Sequence, residues 1–246
     1  MHIAYRIPFF FRISAACLAL AVLCVMPCRA ADLPRQEAER ILQDTYIIAG
    51  YVGLNGESDY AGKPQNVILA ALFGAFDAKM AYVFEQDRRK EAGEKPLPAS
   101  TPLFTVAGRA LAPSQVLLRS ETPDMFKGLS ERYTAFISRE ALELSALRYT
   151  GHAVTRHTAP EGTEFFGNVI LNDTGYFVCI DGLGDLPQEP GLRQVTPIDG
   201  GFTLRGELLQ VMGGDENAKP KHFQLVLTPG DAPGTWKRQY AETPDR

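Results

Sequence analysis

The spacing of apolar positions changes twice along the chain, and the changes divide it into three parts. Ile13 to Pro27 is a nearly continuous apolar run. From Asp32 onward the apolar residues take helical spacing. Ala38, Ile41, Leu42, Thr45, Ile48 and Val52 recur three and four apart, which predicts a helix opened by Asp32 and Pro34 and stopped by Gly50 and Gly53. After a loop through Gly56, Gly62 and Pro64, a second and longer helix is predicted over Gln65 to Lys90. One broad face carries Ile68, Leu69, Leu72, Phe73, Phe76, Met80, Val83 and Phe84 and is read as core. The other face carries Ala70, Gly74, Asp77, Ala78, Ala81 and Glu85, small enough to admit a close neighbour.

Glu91 to Ser100 reads as a solvated connection. Leu103 to Val106 and Val116 to Leu118 read as two short strands around Gly108 and Pro113. Thr122-Pro123-Asp124 has the chemistry of a helix start. Phe126, Leu129, Tyr133, Phe136, Ile137 and Leu144 extend a helical stripe to about Leu147.

After Gly151 the period falls to two. Phe165–Leu171 and Tyr176–Ile180 flank Asn172-Asp173-Thr174-Gly175, the chemistry of a hairpin loop. Phe202, Leu204, Gly206 and Leu208 alternate with polar residues until Leu209 and Val211 shift the apolar parity, which predicts a bulge between Gly206 and Leu209. Phe223, Leu225 and Leu227 make another alternating run, and Trp236, Arg238 and Tyr240 a last one. The expected fold class is therefore α+β. A mainly helical region, 31–150, packs on a C-terminal antiparallel sheet of about five or six strands, 151–246, the two forming one globular unit. A cone-shaped arrangement of helices on a curved sheet is the alternative.

The first thirty residues change this picture most. Arg6 and Arg12 precede the apolar run, and Cys28-Arg29-Ala30 puts small side chains where a signal peptidase needs them. Residues 1–30 are read as a secretory signal cut after Ala30, the run being shorter than the roughly 20 residues a membrane anchor needs. Cleavage leaves 216 of the 246 residues and, by removing Arg6, Arg12 and Arg29, takes the formal net charge from −4 to −7. The remaining Lys and Arg are scattered among acids, which excludes nucleic acid as a partner. Cys17, Cys24 and Cys28 leave with the signal, and Cys179 alone cannot form an internal disulfide. An exported chain without internal disulfides suits a bacterial periplasm, although Asn172-Asp173-Thr174 would be a glycosylation sequon in a eukaryotic secretory route.

Candidate chemistry is sparse. Gly56 to Lys63 has five residues between its glycines and Pro64 where a phosphate loop has Ser or Thr, so no nucleotide site is expected. His152 and His157, with Glu161 and Glu164 nearby, are candidate catalytic residues, but five residues of separation point them apart in a strand or a helix, so no metal is expected there. Asp181, Asp185 and Glu189 lie four apart in what reads as an acidic Gly/Pro-rich turn. Cys179 sits between apolar residues and is expected to be buried and inert. His222 falls on the polar parity of its strand and, like the other two histidines, is expected to lack an orienting partner. The mature sequence contains no G-x-S-x-G, H-E-x-x-H or S-x-x-K motif.

These features predict a periplasmic or secreted protein without enzymatic activity, cofactor or later membrane span, binding a partner protein or a small apolar ligand. The alternative is a periplasmic hydrolase whose site gathers His152, His157, Asp181 and Asp185 from distant parts of the chain.

Overall fold

The computed structural model of the protein describes residues 32–52, 57–59, 63–163, 165–181, 188–210 and 221–243. The expected signal segment, 1–30, and the candidates Glu164 and Asp185 lie outside them. The first helix, α1 (Arg35–Tyr51), starts two residues later than the sequence predicts, because Pro34 and not Asp32 occupies the N-cap and its carbonyl accepts the Ala38 N–H at 3.0 Å. Strand β1 is Glu57–Asp59. Helix α2 (Pro64–Glu91) matches the expected span to within a residue at each end, with proline at its start and Arg88, Arg89 and Lys90 in its last turn.

The burial of α2 departs from the single core face that the sequence predicts. Every residue from Val67 to Phe76 is buried, on all sides of the helix, whereas Met80 and Val83 are half-buried and Phe84 is 64% exposed. The helix is thus buried all round in its first half and partly exposed in its second, where Lys79 is still buried. Its length and composition would suffice to cross a membrane, but the apolar half is occupied by intramolecular packing.

Short strands β2 (Phe104–Val106) and β3 (Arg109–Leu111) form a hairpin through Ala107 and Gly108, both at positive φ. Strand β4 (Val116–Leu118) follows as expected. The helix read from Thr122 to Leu147 does not exist as one element. A 3-10 turn at Pro123–Phe126 and strand β5 (Tyr133–Ser138) precede a shorter helix, α3 (Arg139–Thr150). Gly128, in the left-handed region at φ 82°, turns the chain, and the Ser138 side chain accepts the Ala141 N–H at 3.1 Å to start α3. Tyr133, Phe136 and Ile137 kept helical spacing by coincidence; their aromatic and β-branched side chains suit the strand they form.

Beyond α3, β6 (Phe166–Leu171) and β7 (Gly175–Ile180) make the predicted hairpin. They join β4 and β5 in a four-stranded sheet of order β4-β5-β7-β6. Four long strands, β8 (Gln188–Ile198), β9 (Gly201–Gln210), β10 (Lys221–Pro229) and β11 (Trp236–Thr243), form with β1 a five-stranded antiparallel sheet of order β1-β11-β10-β9-β8. The class is α+β with antiparallel sheets, as the sequence predicts. The strands divide between sheets, and the region read as mainly helical contributes β1 to β5.

Each large sheet has its own core. Ala38, Ile41, Leu42 and Ala49 of α1 pack on Leu192, Phe202, Leu204, Phe223, Leu225 and Tyr240 of the five-stranded sheet. The apolar half of α2 packs with α3 and the four-stranded sheet, including Val116, Ile137, Val169, Tyr176 and Val178. On the small-residue face of α2, the Ser145 hydroxyl of α3 donates to the Ala71 carbonyl at 2.7 Å, and the Tyr149 ring lies against Gly74. That face admits the close neighbour its composition predicts.

The expected bulge lies across the ladder from where it was placed. Strand β9 pairs with β10 without a shift, whereas Leu192 of β8 faces Gly206 and Gln194 faces Arg205, so the extra residue is Arg193. Leu208 stays on the core side and Leu209 is exposed. Strand β8 is the sheet edge and carries Pro190 and Pro197.

Candidate functional site

The residues singled out in the sequence go to separate places. His157 sits between α3 and β7. Its Nε2 lies 3.1 Å from the Glu143 carboxylate and its Nδ1 2.9 Å from the Tyr176 hydroxyl. With the ring proton on Nε2, the imidazole donates to Glu143 and accepts from Tyr176, a hydroxyl–imidazole–carboxylate chain. Burial pushes the Tyr176 phenol up to about 12, so it stays protonated at neutral pH. His157 therefore has the orienting partners its sequence position did not reveal.

His152 faces elsewhere, with Nδ1 3.9 Å from Asp231 Oδ2. The Asp231 carboxylate also takes the Lys237 ammonium and the Ala153 N–H; the hydrogen bond from Lys237 and then that from Ala153 hold its carboxyl below the usual aspartate range. Asp181 accepts the Cys179 thiol at 3.2 Å. The thiol is buried, and desolvation followed by the Asp181 contact pushes its pKa up, the opposite of a reactive cysteine. Glu189 belongs to β8 and not to an acidic loop, paired with Leu209. His222 lies on the exposed side of β10, as its parity predicts. The described members of the proposed hydrolase set, His152, His157 and Asp181, thus engage three different sets of partners. Among the described residues no group of three or more His, Cys, Asp or Glu side chains is placed to hold a metal ion.

A different set of charged residues converges. Strand β11 turns Trp236, Arg238 and Tyr240 inward against α1, and Arg238 is only 4% exposed. One terminal nitrogen donates to Thr45 Oγ1 at 3.1 Å and the other to the Arg148 carbonyl at 2.7 Å, tying β11 to α1 and to the end of α3. Arg148 extends over the rings of Phe104 and Tyr149, 4.8 and 5.3 Å from their centroids. Its Nε is buried and meets no acceptor among the described residues. Arg40, on α1, is held by Glu37 and by Asp44, the latter at 2.9 Å.

These groups line a cavity of about 510 Å³ where α1, the end of α3, the β2–β3 turn and the β10–β11 loop meet. Glu37, Arg40, Arg148 and Arg238 provide its charges, and Ile41, Val106, Pro233 and Trp236 its apolar surface. The Arg40 hydrogen bond holds the Glu37 carboxyl below the usual glutamate range against the opposing effect of burial, and the fields of Arg148 and Arg238 act in the same direction. Three guanidinium groups against one lining carboxylate make the cavity electropositive in a chain of net negative charge.

None of these four charged residues was a candidate in the sequence. A signal was present for one of them: Arg238 stands in phase with Trp236 and Tyr240, the inward parity of its strand, where a charge requires a reason.

A second cavity, about 340 Å³, lies between the first turns of α2 and the irregular segment after α3. Pro64, Val67, Ile68 and Val154 give it a largely apolar lining, with His152 at its border. No protein-family model, curated protein or solved structure matches the chain, so the chemistry of both cavities rests on their own residues.

Proposed function

We propose that the protein is an exported, periplasmic binding protein without catalytic activity, and that its ligand carries an anionic group received in the arginine cavity. The observation that carries this reading is Arg148: a guanidinium at a cavity wall, fixed over two aromatic rings, with a buried N–H that meets no acceptor among the described residues. Burying a donor without an acceptor costs about 1–3 kcal/mol, more for a charged group. A carboxylate or phosphate in the cavity would meet the part of the Arg148 guanidinium that lines it, with a charge-assisted bond. Arg238 supports the site from behind, because its donation to the Arg148 carbonyl fixes the backbone from which Arg148 projects.

The export reading rests on the first thirty residues, and the packing of the apolar half of α2 inside the core supports a mature chain with no membrane span. The small apolar ligand expected from the sequence is retained as a second reading because of the Pro64–Val154 cavity. For a hydrolase, the supporting observation is the Tyr176–His157–Glu143 chain, which involves neither His152 nor Asp181.

Calorimetric titration of the chain from Ala31 with acetate, sulfate and inorganic phosphate tests the main reading. Saturable binding that disappears in Arg148→Gln, with the circular dichroism spectrum of that variant unchanged, is the expected result. Binding that persists in the variant, or no binding of any anion, would overturn it.

A further inference from the structure

The two unlike walls of the arginine cavity identify the class of anion. Trp236 and Arg238 are two residues apart on β11 and so project from the same face of the strand, which sets an indole beside the charged wall. Val106, from the β2–β3 hairpin, adds to the apolar surface. An inorganic anion would use the guanidinium side alone and leave this surface wet. The volume, about 510 Å³, is that of sites for small organic ligands.

The charged wall also limits the number of anionic groups. Arg40 is already engaged by Glu37 and by Asp44, whereas among the described residues no carboxylate forms an ion pair with Arg148, so the anchor for a ligand is Arg148. Glu37 remains ionised within the same lining and would repel a second carboxylate. One carboxylate at Arg148 and an apolar body against Trp236 and Val106 match both walls.

Resting on the anion-binding reading above, we infer that the ligand is an organic monocarboxylate with an aryl or branched-alkyl body. The body contributes affinity by burial and the carboxylate sets the orientation. Burial of a phenyl-sized group should make such a ligand about 10- to 100-fold tighter than acetate.

The chain supplies its own reporter, since Trp236 is its only tryptophan. The experiment titrates the chain from Ala31 with 3-phenylpropionate, phenylsuccinate, acetate and inorganic phosphate, following tryptophan fluorescence and heat. Expected are saturable binding of 3-phenylpropionate at least about tenfold tighter than of acetate or phosphate, a shift in Trp236 emission, and weaker binding of phenylsuccinate. Arg148→Gln should abolish binding, and Arg148→Lys, which keeps the charge without the planar fork, should weaken it. If acetate and phosphate bind through Arg148 as tightly as 3-phenylpropionate, the monocarboxylate assignment fails and the anion site stands. If 3-phenylpropionate binds equally to wild type and to Arg148→Gln, or if no ligand binds, both fail.

Discussion

The ring of Tyr149 occupies the space that a β-carbon on Gly74 would need. This contact lets α3 approach α2 closely, and it reverses the usual effect of a helical glycine. In an exposed helix Gly→Ala would stabilise by about 1 kcal/mol, whereas overpacking a core contact costs about 1–3 kcal/mol. Gly74→Ala should therefore destabilise the protein by about 1–2 kcal/mol in urea denaturation, with much of the loss recovered by adding Tyr149→Leu. A stabilised single variant would mean that the two helices do not meet there.

The two halves of α2 should respond differently to the same substitution. Phe76 is buried and Phe84 is 64% exposed. Phe76→Ala should cost about 3–5 kcal/mol and Phe84→Ala less than about 0.5 kcal/mol, read from denaturation midpoints. Equal losses would show that the outer half of the helix is covered.

Glu37 gives a prediction with a definite pH window. Its folded-state pKa is lowered, so the stabilisation from its ionised form is fully present above the unfolded-state value, about 4.3, and is lost as pH falls through the lower folded value. Glu37→Gln should be less stable than wild type at pH 7 by a few tenths to about 1 kcal/mol, the pair being partly exposed. The difference should shrink below about pH 4.3. A constant difference from pH 7 to pH 3 would contradict the assignment.

Cys179 should be silent in the native state. Burial and the Asp181 contact keep its thiol protonated. A maleimide should label it only after unfolding. Rapid labelling of folded protein, with the circular dichroism spectrum unchanged, would refute this.

The Tyr176–His157–Glu143 chain should be cooperative. Tyr176→Phe should cost about 1 kcal/mol by removing the hydroxyl bonded to His157 Nδ1. Combined with His157→Gln, the loss should be smaller than the sum of the two single losses. Additive losses would mean that the two side chains act independently.

The features legible in the sequence were those fixed by local pattern. The ends of α2, the β6–β7 hairpin, the buried Cys179 and the inward parity of Trp236 and Tyr240 all follow from periodicity and turn chemistry over a few residues. Strand β8 was hidden because Pro190, Gly191 and Pro197 are residue types that ordinarily interrupt strands, yet an edge strand has one side on which a missing N–H costs little. Strand β5 was hidden because three apolar residues happened to keep helical spacing. The cavity was invisible for a different reason: Arg40, Arg148 and Arg238 come from α1, α3 and β11 and meet only through tertiary packing. The partners of His157 likewise lie 14 and 19 residues away in sequence.

The same two prolines and the extra residue at Arg193 bear on how the molecule behaves beside others of its kind. A long, regular sheet margin is a template onto which another chain can add, and growth of that type leads to fibrils. Here Pro190 and Pro197 withdraw two donors from the β8 margin, and the bulge at Arg193 breaks the even spacing that an incoming strand would need. At the opposite margin β1 is only three residues long. The five-stranded sheet thus ends at both sides in segments poorly suited to recruit further chains.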